Sequence, residues 1–358
     1  MRLLDRYLAR QVLWYTLLVM GVLVTLAALF VFIDQQDDVG VGSYGMLEAL
    51  FVTALMVPQQ AFQLLPVAAL IGALVGLGNL ARGSELIVVR AAGVSVLRVA
   101  LAAACDGVVL VALGAVLGEV LAPPLEAYAQ QVKAFGKYNN FSFAGRAGIW
   151  VKDGNRIVSI QEQSADNVYG GLYVYTVEAG ADGRQHLVAL ARADRAEVAG
   201  HGWRLWNYAD SALGADRVTA RHLPTLAVEG GISPEFLGIA VVDPVSLPIR
   251  GLWRYVQHLR ANGLESRSWE VALWSRISRS LSTVLLCMLA VPFVFGPLRT
   301  AGAGSRTVIG IIVGVVYFLV NRTLENSGDV YGLNPLLVAW APAALLAAVT
   351  GVAIARVR

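Results

Sequence analysis

Four cations in this chain stand where a charge is costly. Lys133 and Lys137 follow one long apolar run, and Arg276 and Arg279 precede another. A charge at the edge of a bilayer is stable only when an anion answers it. Arginine grips a phosphate through two parallel N–H donors, whereas lysine presents a point charge. These residues are therefore candidates for holding an anionic ligand. The same charges could instead pair with Glu119, Glu126 or Glu270, or reach to ordinary headgroups. A second constellation is "SELIVVRAAGVS", residues 84–95. Ser84 is suited to an N-cap, Glu85 sits in the first turn where the helix dipole favours an anion, and Gly93 supplies a stop. The stretch, with Arg90 near its end, predicts a helix of about two turns. Such a helix either lies in the headgroup layer through Leu86, Ile87 and Val89, or enters a groove on another protein as a rigid rod. Periodicity does not separate the two.

Other chemistries have no residues to perform them. No G-x-x-x-x-G-K-[ST] phosphate loop occurs, and "GAGSRT" at 302–307 lacks the lysine and the glycine spacing. The chain thus offers no phosphate loop of its own for ATP. His186, His201, His222 and His258 are scattered without a metal-ligand pattern, and neither a nucleophile elbow nor a zincin motif is present. Cys105 and Cys287 both fall in apolar segments, where a disulfide framework is not expected. A net charge of +3 carried almost wholly by arginine gives no nucleic-acid footprint.

The elements that must position these residues are membrane helices. The 358 residues are 57% hydrophobic and 15% charged, with a mean hydropathy of +0.62, well beyond a soluble domain. Apolar runs near 12–33, 50–79, 99–122, 280–296, 307–320 and 336–355 approach the length needed to span a bilayer. Six spans follow. The first run exceeds the core of a signal peptide and is expected to remain as an anchor. Pro58 and Pro66 predict a kink, or an entry segment at the interface, before a true second span around 64–80. Small residues four apart mark packing seams: Ala68, Gly72 and Gly76; Gly114 and Gly118; Gly310 and Gly314. With the N-terminus cytoplasmic, Arg2, Arg6, Arg10, Arg82, Arg90, Arg98, Arg299, Arg306, Arg356 and Arg358 lie inside, and the short outer loops hold only Arg322.

Between the third and fourth spans the pattern changes to β. "GIWVKDGNRIVSIQE" reads as strand, turn and strand; "GGLYVYTVEAGADGRQHLVALARA" repeats that shape, and "GHGWRLWNYAD" alternates. The fold class is thus a six-span α-helical membrane protein with an inserted all-β, jelly-roll-like domain outside the cytoplasm. The expected divisions are 1–132, 133–245 and 246–358. From about 244 an amphipathic helix leads back to the membrane, with Leu252, Tyr255, Val256 and Leu259 on one side and Gly263 as its stop. An ion-coupled transporter would bury acids mid-span, and only Glu119, near a helix end, comes close. A mechanotransmission protein of the four-span type would carry its outer domain after the first span.

"LDRYLARQVL", "FIDQQDDVGVGSYG", "LLPVAALIGALVGLGNLARGSELIVVRAAGVS" and "FVFGPLRT" resemble the LptF/LptG permease family of the lipopolysaccharide-export ABC transporter, its G branch more than its F branch. The resemblance runs in the same order over nearly the whole chain. It implies a permease without a cofactor of its own, paired with the homologous LptF subunit on a dimer of the ATPase LptB. It further implies that the LptC transmembrane helix inserts beside the first span, and that lipopolysaccharide passes through the β-domain to the periplasmic bridge LptA. The alternative is a lipid transporter not specific for lipopolysaccharide. Ser84, Glu85 and Arg90 match the family's coupling helix, Glu85 being the acid that faces the ATPase. Lys133, Lys137, Arg276 and Arg279 would then meet the phosphates of lipid A. The family often has lysine where this chain has Asp37 and Asp38, and a second basic residue near Gln130, so some outer phosphate contacts must be absent or come from the partner.

Overall fold

A computed structural model describes residues 3–138, 149–153, 155–163, 168–179, 185–199, 202–214, 217–229, 247–295, 302–330 and 332–357. Helices α1 (Leu3–Gln36), α2 (Met46–Arg82), α3 (Glu85–Ala91), α4 (Val96–Ala115) and α5 (Ala122–Tyr138) come first, and a π-helical segment, Val116–Leu121, joins α4 to α5. Strands β1 (Ile149–Asp153), β2 (Arg156–Gln163), β3 (Val168–Ala179), β4 (Gln185–Ala199), β5 (Gly202–Leu213) and β6 (Val218–Glu229) follow. The chain closes with α6 (Ile249–Ala261), α7 (Arg267–Phe295), α8 (Ala303–Val330) and α9 (Pro335–Arg356). Among the described residues, six helical stretches are long and apolar enough to cross a membrane: Asp5–Gln36, Met46–Arg82, Val96–Lys133, Arg267–Phe295, Thr307–Ser327 and Pro335–Arg356.

The second span is the hub. Its most apolar window is 78% buried, against 6% for the first span and 11% for the fifth, so α1 and α8 turn most of their apolar surface outward. The expected separate entry segment before a second span around 64–80 does not occur: α2 is one continuous helix with both prolines inside it. Each proline removes one N–H, and α1, α5, α7 and α8 all pack on α2. Close approach depends on the small residues read from the sequence. A Cβ at Gly72 would collide with the Thr16 backbone, and one at Gly76 would lie 3.1 Å from the Gln11 carbonyl oxygen. Gly310 and Gly314 of α8 likewise rest on Ile71, Leu74 and Val67 of α2. Above these seams Leu70, Leu74, Leu77, Val99, Leu286 and Leu289 form one apolar core.

The inserted domain is antiparallel, and among the described residues its strands form a single six-stranded sheet in the order β1 to β6. Every pairing joins sequence neighbours, so the described part is a meander of hairpins, and no jelly-roll crossover falls within it. Ile160, Tyr169, Leu172, Ala193, Ala196 and Leu205 bury one face. Ala193 and Ala196 both belong to this buried cluster although three apart, and the β4–β5 ladder keeps one register across the unpaired stretch between Arg192↔Ala209 and Arg195↔Trp206. Asn207 takes the left-handed conformation there, φ 50°. Its amide donates to Asp194, and its carbonyl oxygen lies 2.6 Å from His222 Nε2. The return helix α6 is as expected: Leu252, Tyr255, Val256 and Leu259 are buried, Tyr255 packs edge-on against Trp269 at 4.4 Å, and Gly263 ends the turn at φ 62°.

Candidate functional site

The strongest polar node at the membrane edge begins with a local conflict in the third span. "VLGEVLAPP" places two prolines directly after Glu119 and its neighbours. Pro123 lacks an N–H, and in an α-helix its ring would crowd the carbonyl four residues back. The chain instead widens into π-helix over Val116–Leu121, where the Ala122 N–H reaches the Leu117 carbonyl. That bond leaves the Gly118 carbonyl without Ala122, and the next donor in the π register would be Pro123, which has none. Arg276 of α7 fills the vacancy through Nη2. Its Nε donates to Glu119 Oε1 at 2.6 Å, and its guanidinium lies over the Phe62 ring at 4.8 Å. The other carboxylate oxygen of Glu119 accepts from the Ile249 N–H at 2.7 Å, at the first residue of α6. Gly118 permits this fit, because a Cβ there would come within 2.6 Å of the Phe62 ring.

Lys133 and Arg279 also meet carboxylates of this chain. Lys133 Nζ lies 2.7 Å from Asp38 Oδ2, both side chains partly exposed at 24% and 20%. Nearby, the Ser43 N–H donates to the Gly136 carbonyl, tying the loop before α2 to α5. Arg279 Nη2 lies 3.2 Å from Glu325 Oε1, whose carboxylate also accepts from Asn321. Gln63, Arg279, Tyr317, Asn321 and Glu325 line a cavity of about 150 Å³ between α2, α7 and α8. Lys137 lies on the last turn of α5; its side chain is outside the described residues. Lys133, Arg276 and Arg279 are thus distributed over separate contacts, and Arg276, 4% exposed, is the most enclosed of the three.

On the opposite side, α3 stands as the short helix expected from 84–93. Ser84 occupies the N-cap position but corrects the sequence reading: at φ 61° it is left-handed, and its hydroxyl makes no capping bond. The turn after Arg82 is so tight that the backbone bonds Ser84 N–H to the Ala81 carbonyl instead. Leu86 is buried in the helical core, which removes it from the headgroup layer. Glu85 and Arg90 face outward, as do Ile87 and Val88, and the Arg90 guanidinium lies over the Phe295 ring at 5.7 Å. Gly93, φ 83°, closes the helix.

One charged residue escaped the sequence reading. Glu119 is joined by Asp106, which sits mid-way along α4 with 1% exposure, and whose Oδ2 has no hydrogen-bond partner among the described residues. Its signal was a carboxylate inside "LAAACDGVVLV", an apolar run that tolerates few charges.

With this geometry in place, the family model described as "Lipopolysaccharide export system permease LptF/LptG" matches residues 6–356. The chain belongs to the LptF/LptG family. It is 33% identical over 342 residues to the lipopolysaccharide export system permease protein LptG of Escherichia coli (strain K12), covering 95% of this chain and 94% of that one. Its identity to the protein of the same description from Haemophilus influenzae is 32% over 345 residues, covering 96% and 95%. Membership of LptF/LptG accords with the plan seen here: a multi-pass helical membrane protein with an antiparallel sheet inserted between its third and fourth spans.

Proposed function

We propose that this chain is the permease subunit of an ABC transporter that extracts lipopolysaccharide from the outer leaflet of the inner membrane and hands it to a periplasmic bridge. What carries the reading is the full-length match to lipopolysaccharide export permeases, together with spans and sheet in the family's order. The chain would pair with an LptF subunit on an LptB dimer, with the LptC helix beside α1 and LptA receiving the lipid from the sheet. Both termini and α3 would face the cytoplasm. The outward apolar surfaces of α1 and α8 supply area for a second permease and for acyl chains. Glu85 and Arg90 project from α3 toward the ATPase, while Ser84 sets the turn that aims them. Lys133, Lys137 and Arg279 would hold lipid A phosphates, the first and last by exchanging Asp38 and Glu325 for the lipid. Arg276 would reach lipid only by leaving Glu119, so its main work is internal.

Detergent purification of the tagged chain, followed by identification of what accompanies it, tests this assembly. Recovery of an ATPase and a second permease, with ATP turnover that responds to lipopolysaccharide, is the expected result. A chain that purifies alone, or a complex indifferent to lipopolysaccharide, would overturn it.

A further inference from the structure

We infer that Arg276, Glu119 and the Gly118 carbonyl form a clamp at the membrane base of the inserted sheet, a conformational device that makes span four move with both chain connections of that sheet. The functional part of this inference rests on the transport reading above. The chain enters the sheet through the π-helical segment and α5, and leaves it through α6. The π-helical segment, the start of α6 and α7 meet at one point. Arg276 of α7 holds the Gly118 carbonyl and Glu119, and Glu119 holds the first N–H of α6. The clamp is enclosed, since the Arg276 side chain is 5% exposed and that of Glu119 is 25% exposed, so water competes poorly for its bonds. Its need is written into the backbone: Pro123 cannot supply the N–H that the π register requires, and Arg276 substitutes for a missing main-chain donor. A side chain can let go where a helix bond would not. Releasing Arg276 would expose a carbonyl and a carboxylate together, which favours two discrete positions, held or released, over a graded one.

This arrangement makes a prediction that ordinary ion pairing does not. In Pro123→Ala the new N–H can satisfy the Gly118 carbonyl, so Arg276 becomes less necessary. The full chain in detergent should show a large fall in its thermal midpoint for Arg276→Met, and a clearly smaller fall for the same change in the Pro123→Ala background. Equal falls in the two backgrounds would overturn the clamp. The functional arm uses the assembled complex and compares lipopolysaccharide transferred with ATP hydrolysed. Glu119→Gln keeps the shape but loses the charge, and transfer per ATP should fall about tenfold, the usual scale for one charge-assisted bond, while ATP turnover persists. Transfer per ATP at the wild-type level would make the contact a packing feature and overturn the device. If the wild-type complex transfers no lipopolysaccharide, the transport reading fails by itself, and the thermal cycle still decides whether the clamp exists.

Discussion

At the scale of single residues, small differences in what surrounds a side chain decide its use. Gly118 and Gly351 are both glycines inside membrane helices, yet a Cβ at Gly118 meets the Phe62 ring while one at Gly351 meets nothing within 4 Å. Gly118→Ala should therefore destabilise the chain by about 1–3 kcal/mol through overpacking, and Gly351→Ala should stabilise it by about 0.5–1 kcal/mol by restricting the unfolded backbone. Thermal midpoints of the two variants, measured side by side, would show opposite signs; a shared sign refutes the contrast. Lys133 presents a different contest, because Asp38 already neutralises it at 2.7 Å. If lipid phosphate displaces Asp38, photocrosslinking from position 133 in whole cells should capture lipopolysaccharide. No crosslink from 133 or from 279, with crosslinks from inside the sheet, would make both residues internal pairs only.

At the scale of elements, each piece is shaped by one local demand. In α3 the demand is a short rigid rod: Leu86 anchors it in the core while Glu85 stays exposed. Glu85→Ala should then leave the fold unchanged and weaken retention of the ATPase by roughly tenfold, the worth of one charge-assisted contact. Co-purification and lipid-stimulated turnover equal to wild type would remove Glu85 from the coupling. In the sheet, the irregularity between β4 and β5 demands a left-handed residue at 207. Asn207→Gly should lose only the contacts to Asp194 and His222, and Asn207→Val should be less stable than Asn207→Gly by about 1–2 kcal/mol, as a thermal melt of the pair would report. Asn207 also acts first, ahead of Arg192, in holding the Asp194 carboxyl below its ordinary pKa. A depressed folded value means the stabilisation is present above the ordinary value and fades as pH falls through the folded one. Asp194→Asn should flatten that acid limb of the stability profile; an unchanged limb would assign it to other carboxylates.

At the scale of the whole molecule, orientation and assembly are the open variables that follow from surface. Positive charge gathers at one end of the six spans, and the sheet is inserted at the other. In a Cys105→Ser background, which removes the exposed native thiol while Cys287 stays buried, cysteine at position 90 should label only from the cytoplasm and cysteine at position 192 only from the periplasm. The opposite pattern would overturn the orientation and the transport reading with it. The first and fifth spans, little buried within the chain, are the surfaces where a second permease, a single-span partner or acyl chains would be accommodated.

The sequence by itself determined the six spans, the hairpin-rich insert, the amphipathic return helix and the short helix at 85–91, because each is set by local periodicity and by the cost of charge in hydrocarbon. It also showed which cations stand out of place. Only the tertiary structure decided what answers them: Arg276 finds Glu119 from 157 positions away, Arg279 finds Glu325, and Lys133 finds Asp38. Such pairings depend on how helices are arranged around α2, which no local pattern encodes. The same holds for the prolines. Pro58 and Pro66 were legible as a kink or an entry segment, and α2 runs through both as one helix with several neighbours packed on it. Pro123 instead widens the third span into π-helix and hands a carbonyl to Arg276. Ser84 had the chemistry of a cap but not the backbone for it, since φ is fixed by how tightly the chain must turn from α2 into α3.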